Sequence, residues 1–159
     1  MKEDIIAILP EYIEKFGIGS RIYKERSSLL DKRSPRHVLK NLYDKKGKDK
    51  KLVDKRIEEK LQLKRNFPYI IDENHVFFSI KVRDSLYDRQ TRAFVNVKYV
   101  RKVEDSRIIL MTGEVIESLN QEKSIKANRN IAMIFYYEQM IKTLANTYEA
   151  INFIKENFA

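Results

Sequence analysis

The stretch that decides the fold is residues 93–119, AFVNVKYVRKVEDSRIILMTGEVIESL. Residues 93–103 alternate, so that Phe94 and Val95 should point to opposite faces of a strand. Two short polar segments, at 104–106 and 112–114, interrupt the apolar runs and are typical of hairpin turns. The pattern predicts strands at 93–103, 107–111 and 115–119.

Two strand-like runs precede this stretch, at residues 69–71 and 76–82. They are rich in Ile, Val and Phe, which suit a pleated and half-buried surface. Short connections are typical of antiparallel strands that follow one another in the chain. We therefore expect one antiparallel meander over residues 69–119.

The first thirty residues predict two more strands. Residues 5–9, IIAIL, form a short apolar run, and we expect Pro10 to stop it because proline lacks the N–H that a sheet uses. Gly17 and Gly19 bracket a turn, and residues 21–30 read as the next strand, with imperfect alternation.

Helical patterns occupy the segment between these strand regions. Ser34 suits an N-cap and Pro35 the first position of a helix that residues 37–43 would continue. Residues 44–51, DKKGKDKK, contain no apolar residue and predict a loop or a helix break. Residues 52–65 then carry apolar side chains at every fourth position, which predicts a second helix.

From residue 121 the apolar period is again that of a helix. One stripe consists of Ile134, Ile141, Leu144, Tyr148, Ile151, Ile154 and Phe158, and a second set of Phe135, Tyr136 and Met140. Neither glycine nor proline interrupts it, so we expect one helix over 121–157, or a break near Asn146. Such a helix either packs on the sheet or pairs with its copy in a dimer.

Together these elements predict an α+β fold: an antiparallel β-sheet of about five to seven strands, a basic helical segment and a long C-terminal helix. We expect a mainly β domain over residues 1–120, with the basic helical insertion at about 34–65. Residues 121–159 would form the helix that packs or dimerises. With 159 residues, of which 43% are hydrophobic, the chain can bury a substantial core.

All of the net positive charge lies in one segment. Residues 32–65 contain fourteen Lys or Arg and five Asp or Glu, a net of +9 that equals the charge of the whole chain. Charge concentrated in this way is typical of a phosphate-binding surface, although a solvated helical face or basic loop is the simpler alternative. A membrane surface is less favoured, because residues 46–64 include no aromatic side chain for an interfacial helix.

The preferred partner is double-stranded DNA. The lysines would contact phosphates and position the duplex, whereas Arg33 and Arg36, with planar guanidinium groups, are candidates for insertion into a groove. The candidate DNA-binding residues are Arg33, Arg36, Lys45, Lys46, Lys48, Lys50, Lys51, Arg56, Lys60, Lys64 and Arg65.

An ordered series of short motifs resembles the ComK family, the competence transcription factors of Gram-positive bacteria. The motifs are IAILP at 6–10, KRNFPYII at 64–71, HVFFSI at 75–80, a strand at 93–100, a strand–glycine–strand hairpin at 108–116 and SIKANR at 124–129. The family's proline–threonine after the phenylalanines is absent, as are its cysteine and tryptophan in the next strand. The family's small-residue segment with Gly-Arg is replaced by NLYDKKGKDKK at 41–51.

The resemblance implies a transcription activator for competence that binds AT-rich duplex boxes, largely through the minor groove. It also implies a homodimer or higher assembly, and regulation by an adaptor and a cytoplasmic protease. Lys and Arg suit the enhanced negative potential of narrow AT-rich minor grooves.

Catalytic and metal chemistry find little support in the sequence. His37 and His75 have no second ligand at metal-binding spacing, and there is no P-loop, GxSxG or GxGxxG motif. Asp72 and Lys81 follow the order of a metal-dependent nuclease, but Ser79 stands where its second carboxylate is needed. We therefore expect no enzyme, no cofactor and no metal.

Two other binding functions stay open. The basic segment could bind an acidic protein partner, in a protein-interaction or regulatory module. RNA could stack on aromatic side chains of the strands, namely Tyr69, Phe77, Phe78, Phe94 and Tyr99. Since the chain has no cysteine and no apolar run approaching the roughly 20 residues of a membrane span, we expect a cytoplasmic protein without a membrane partner.

Overall fold

The computed structural model describes residues 3–62, 66–84 and 91–158. Within these ranges the chain forms nine strands and three α-helices. In chain order they are β1 (Ile5–Ile13), β2 (Gly17–Lys24), β3 (Ser28–Asp31), α1 (Pro35–Lys45), α2 (Lys50–Leu61), β4 (Tyr69–Asp72), β5 (His75–Lys81), β6 (Arg92–Asn96), β7 (Val100–Glu104), β8 (Arg107–Leu110), β9 (Val115–Glu117) and α3 (Glu122–Phe158).

The strands belong to two antiparallel sheets. One has six strands in the order β3-β2-β1-β6-β5-β4, and the other has three in the order β7-β8-β9. The predicted α+β class and the long C-terminal helix are confirmed, and the larger sheet falls within the predicted range of strands. The single meander expected over residues 69–119 is wrong, because β4–β6 join the first sheet and β7–β9 form the second.

A single turn explains this division. Residues 93–103 were expected to form one strand, but a 3₁₀ turn at Val97–Tyr99 separates β6 from β7. The fully buried side chain of Asn96 accepts a hydrogen bond from the Lys98 N–H at 3.1 Å and donates to the Ile5 and Asn74 carbonyls at 2.9 and 2.8 Å. All of its hydrogen-bonding groups therefore support the bend that directs the chain into the second sheet.

The amino-terminal strands also differ from the prediction. Pro10 does not stop β1, because β6 pairs only with Ala7 and Ile8 and leaves one side of the strand unpaired beyond them. Residues 21–30 are not one strand, since residues 25–27 separate β2 from β3 in a hairpin.

The six-stranded sheet buries side chains on both of its faces. Neighbouring residues point in opposite directions, as expected for strands, so Phe77 lies on one face and Phe78 on the other. The first face packs against α1 through Val38, Leu39 and Tyr43. The second face packs against the three-stranded sheet and the first half of α3, through Ile108, Leu110, Ile125, Ala132 and Phe135.

The long helix α3 is unbroken from Glu122 to Phe158, but only its first half is packed. Its buried residues are Ile125, Ala132 and Phe135, whereas the predicted stripe that begins at Ile134 is exposed. The stripe is therefore not what holds α3 on the sheet. None of the helices in the described ranges has the length and apolarity needed to cross a membrane.

Candidate nucleic-acid interface

The basic segment folds as two helices joined by a tight connection. Ser34 caps α1 by accepting a hydrogen bond from the His37 N–H at 3.4 Å, as the sequence predicted. Asp49 caps α2 by accepting from the Lys51 N–H at 2.9 Å. Between them, Gly47 has a φ of +63°, a left-handed conformation that glycine adopts without steric cost. The predicted break thus spans only residues 46–49.

A groove of about 870 Å³ lies between α1 and α2. Its apolar lining consists of Leu39, Tyr43 and Tyr69. Its basic lining consists of Arg36, Lys40, Lys48, Lys50 and Lys51. Five cations therefore surround one groove, together with the carboxylates of Asp44 and Asp49, of which Asp49 serves as the helix cap.

The base of the groove is fixed to the six-stranded sheet. The Tyr43 hydroxyl accepts a hydrogen bond from the Ile70 N–H at 3.0 Å, and burial raises the pKa of this tyrosine. Lys48 Nζ donates to the Ile71 carbonyl at 2.6 Å, and burial lowers the pKa of Lys48. These two hydrogen bonds tie α1 and the connection between α1 and α2 to β4.

Five of the predicted DNA-binding residues already have a partner within the protein. Besides Lys48, these are Lys46 with Asp72 at 3.3 Å, Lys50 with Asp54 at 2.5 Å, Lys60 with Glu138, and Arg33 with Asp31. The Arg33 guanidinium forms a fork on Asp31, with distances of 3.0 and 2.6 Å, and its hydrogen bond lowers the pKa of that carboxyl group. As placed, Arg33 supports the chain before α1, and groove insertion would require this pair to break.

Four other predicted residues, and two that were not predicted, have unpaired side chains. Within the described ranges the following form no side-chain hydrogen bond or ion pair, and all are exposed: Arg36, Lys40, Lys45, Lys51, Lys55 and Arg56. Lys40 lies one turn after Arg36 on α1, and Lys55 lies one turn after Lys51 on α2. The predicted residues Lys64 and Arg65 lie outside the described residues.

One helix end also faces the groove. The amino terminus of α2 opens onto it, since Asp49, Lys50 and Lys51 all line the groove. The first N–H groups of a helix carry a partial positive charge of about half an electronic unit, which favours anions there. The carboxylate of Asp49 already caps this helix end, so the unpaired side chains are what favours an anionic ligand here.

A second basic cavity, of about 450 Å³, lies between α2 and α3. Lys48, Arg56, Lys60 and Lys142 line it, and Glu138 bridges Lys60 and Lys142. Lys142 was not predicted, because it lies 77 residues or more from the basic segment and only the packing of α3 beside α2 brings it close. Glu138 therefore supplies counter-charge to the lysines of this cavity.

The candidate nuclease residues are not brought together. Asp72 lies beside His75. Lys81 is six residues after His75 in β5, and at the rise of a strand this places it roughly 20 Å from His75. Lys81 instead pairs with Asp84 at 2.9 Å. Among the described residues, no group of three or more His, Cys, Asp or Glu is placed to hold a metal ion.

Asp72 and His75 instead belong to a structural network. His75 Nδ1 lies 2.9 Å from Asp72 Oδ1, and its Nε2 accepts the Ile5 N–H at 3.0 Å. Burial acts to raise the pKa of Asp72, but hydrogen bonds from His75 and from the Asn74 N–H outweigh it and hold the pKa well below its usual value. The network ties β1 to the turn between β4 and β5.

Three of the five aromatic residues considered for RNA stacking are unavailable. Phe77, Phe78 and Phe94 are buried in the core. The Tyr99 hydroxyl donates to carboxylates at the amino-terminal edge, at 2.5 Å from Asp4 and 3.0 Å from Glu25. Of the five, Tyr69 alone borders the groove.

No protein-family model, curated protein or solved structure matches the chain.

Proposed function

We propose that the groove between α1 and α2 binds the phosphate backbone of duplex DNA, and that the protein is a DNA-binding transcription regulator. One observation carries the proposal: three unpaired cations line one groove between two helices, Arg36 and Lys40 one turn apart on α1 and Lys51 at the start of α2. A cation that already has a carboxylate partner gains less binding free energy from contact with a phosphate than a cation that has no partner. The unpaired set is therefore the expected contact surface.

The number of unpaired cations gives the expected salt dependence of DNA binding. Each phosphate contact on B-DNA releases a counterion and changes the slope of log K against log salt by about 0.9. If Arg36, Lys40 and Lys51 each contact one phosphate, the slope is about −3, and it reaches about −5 if Lys45, Lys55 and Arg56, which do not line the groove, do so too. The paired residues Lys46, Lys48 and Lys50 should then act through the fold.

The finer proposal is a preference for AT-rich duplexes, read largely in the minor groove. It is supported by the resemblance to competence transcription factors and by the free guanidinium of Arg36. A-tracts have a narrow minor groove with enhanced negative potential, in which arginine is favoured. Of the two arginines considered for groove insertion, Arg36 is the one with a free guanidinium, because the guanidinium of Arg33 is paired with Asp31.

Fluorescence anisotropy with four labelled ligands of equal charge separates the candidate partners. The ligands are an AT-rich duplex, a GC-rich duplex, a single strand and an acidic peptide. We expect the AT-rich duplex to bind most tightly at about 150 mM salt, with each unfavourable base pair in the site weakening binding by about 1–3 kcal/mol. Equal or tighter binding of the acidic peptide would instead indicate a protein-interaction module. Preference for the single strand would indicate RNA-type binding.

A further inference from the structure

The second half of α3 carries many apolar side chains and is largely exposed in the described chain, with Lys142 lining the cavity beside α2. Every residue of α3 after Gln139 is exposed except Asn152, which is half-buried. This segment of about 28 Å is rich in Ile, Thr, Tyr and Phe, which are weak helix formers. Most helices of this kind owe their stability to packing of one face, so a partner is required.

The spacing of the exposed side chains identifies the partner as another helix. Ile134, Tyr137, Ile141, Leu144, Tyr148 and Ile151 are between 46 and 67% exposed. Their spacing alternates strictly between three and four residues, which is the 3.5-residue period of a left-handed coiled coil. The next two positions in the same series are Lys155 and Phe158.

We propose that this stripe pairs with the same stripe of a second copy of the chain, as an antiparallel coiled coil centred on Asn146. The series is symmetric about that residue, so Ile141 faces Ile151 of the second copy and Leu144 faces Tyr148. In an antiparallel coiled coil, each a position of the heptad faces a d position of the partner helix. With Ile134 as an a position, pairing the two copies about Asn146 places every a position of the stripe opposite a d position.

Charge selects the antiparallel orientation. In a parallel pair, Lys155 would face Lys155 of the other copy inside the apolar seam, which is a buried like-charge contact. In the antiparallel pair it faces Tyr137, whose ring and hydroxyl can both accept the ammonium. Residues 140–158 contain two Lys and two Glu, so two copies of this segment do not repel each other through net charge.

The buried area is sufficient for a stable pair. The exposed parts of the stripe amount to roughly 600 Å² per chain, from typical side-chain areas. Two copies would therefore bury about 1,200 Å², which reaches the lower end of specific, stable interfaces. A monomer rarely leaves a single apolar patch of this size uncovered.

Sedimentation equilibrium of the full chain is the first test. We expect the mass of two chains at tens of micromolar, and the mass of one chain for a variant with Ile141→Glu and Tyr148→Glu. The control carries Asn146→Glu and Ala150→Glu, which add the same charge outside the stripe, and should remain a dimer. Circular dichroism checks that the sheets still fold, since neither pair of positions contacts them. A monomeric wild type, or a dimer that survives the stripe substitutions, overturns the proposal.

The orientation is tested by disulfide trapping, for which the cysteine-free chain is well suited. Ile151→Cys should not cross-link to itself, but it should cross-link to a chain that carries Ile141→Cys when the two variants are mixed and oxidised. Efficient self-cross-linking of Ile151→Cys would show a parallel pair and overturn the antiparallel assignment. Both tests are made without DNA, so they are independent of the groove's function.

Discussion

Tyr43→Phe removes one oxygen atom from the base of the groove and leaves the charge unchanged. The Tyr43 side chain is 1% exposed, and its hydroxyl accepts the Ile70 N–H at 3.0 Å. Without that acceptor, a buried N–H is left unsatisfied, which costs about 1–3 kcal/mol. For a chain of this size, that corresponds to a fall in Tm of about 2–12 °C.

Thermal unfolding followed by circular dichroism measures this difference. Tyr12→Phe is the matched control, since Tyr12 is 69% exposed and its hydroxyl has no partner in the described residues. Below the transition, the Tyr43→Phe protein should bind duplex DNA with an unchanged salt dependence, because no cation is removed. Equal Tm values for the two variants would refute the role assigned to this hydrogen bond in fixing α1 to β4.

Three further changes test other parts of the structure. Gly19→Ala should cost about 1–3 kcal/mol in urea unfolding, because the new Cβ would lie 2.4 Å from the Asp31 carbonyl oxygen; wild-type stability would contradict the close packing of β2 against β3. Asp72→Asn should cost about 2 kcal/mol at pH 7. Since the folded-state pKa of Asp72 is depressed, this cost should shrink as the pH falls below about 4, and a cost equal at pH 7 and pH 3 would count against the His75 pair. Arg36→Lys keeps the charge, so it should preserve the salt slope but reduce the preference for AT-rich over GC-rich duplexes; an unchanged preference would remove Arg36 from groove reading.

Local patterns predicted the helices and strands well where interactions between residues close in the sequence determine them. Ser34 and Pro35 marked the start of α1, and Gly47 marked its separation from α2, because caps and positive φ depend on neighbouring residues. The bend after Asn96 was missed, because its cause is hydrogen bonds to Ile5 and Asn74, both distant in sequence.

The candidate interface was also predicted only in part. Its charge was visible in the sequence, but which cations are free was not, because Asp72 and Glu138 reach Lys46 and Lys60 only in the folded chain. The same holds for α3. Its apolar period was visible, but only the placement of Phe135 on the sheet shows that the stripe of Ile134 is left exposed.

The central claim, that the α1–α2 groove is the DNA surface, is tested most directly by the salt dependence of binding. The variant carries Arg36→Ala, Lys40→Ala and Lys51→Ala. The control carries Arg26→Ala, Arg101→Ala and Lys123→Ala, which remove the same charge from exposed side chains that do not line the groove. Between 50 and 200 mM salt, the slope of log K against log salt should become shallower by about 2.7 in the groove variant and stay unchanged in the control. Equal slopes for the two proteins would contradict the account.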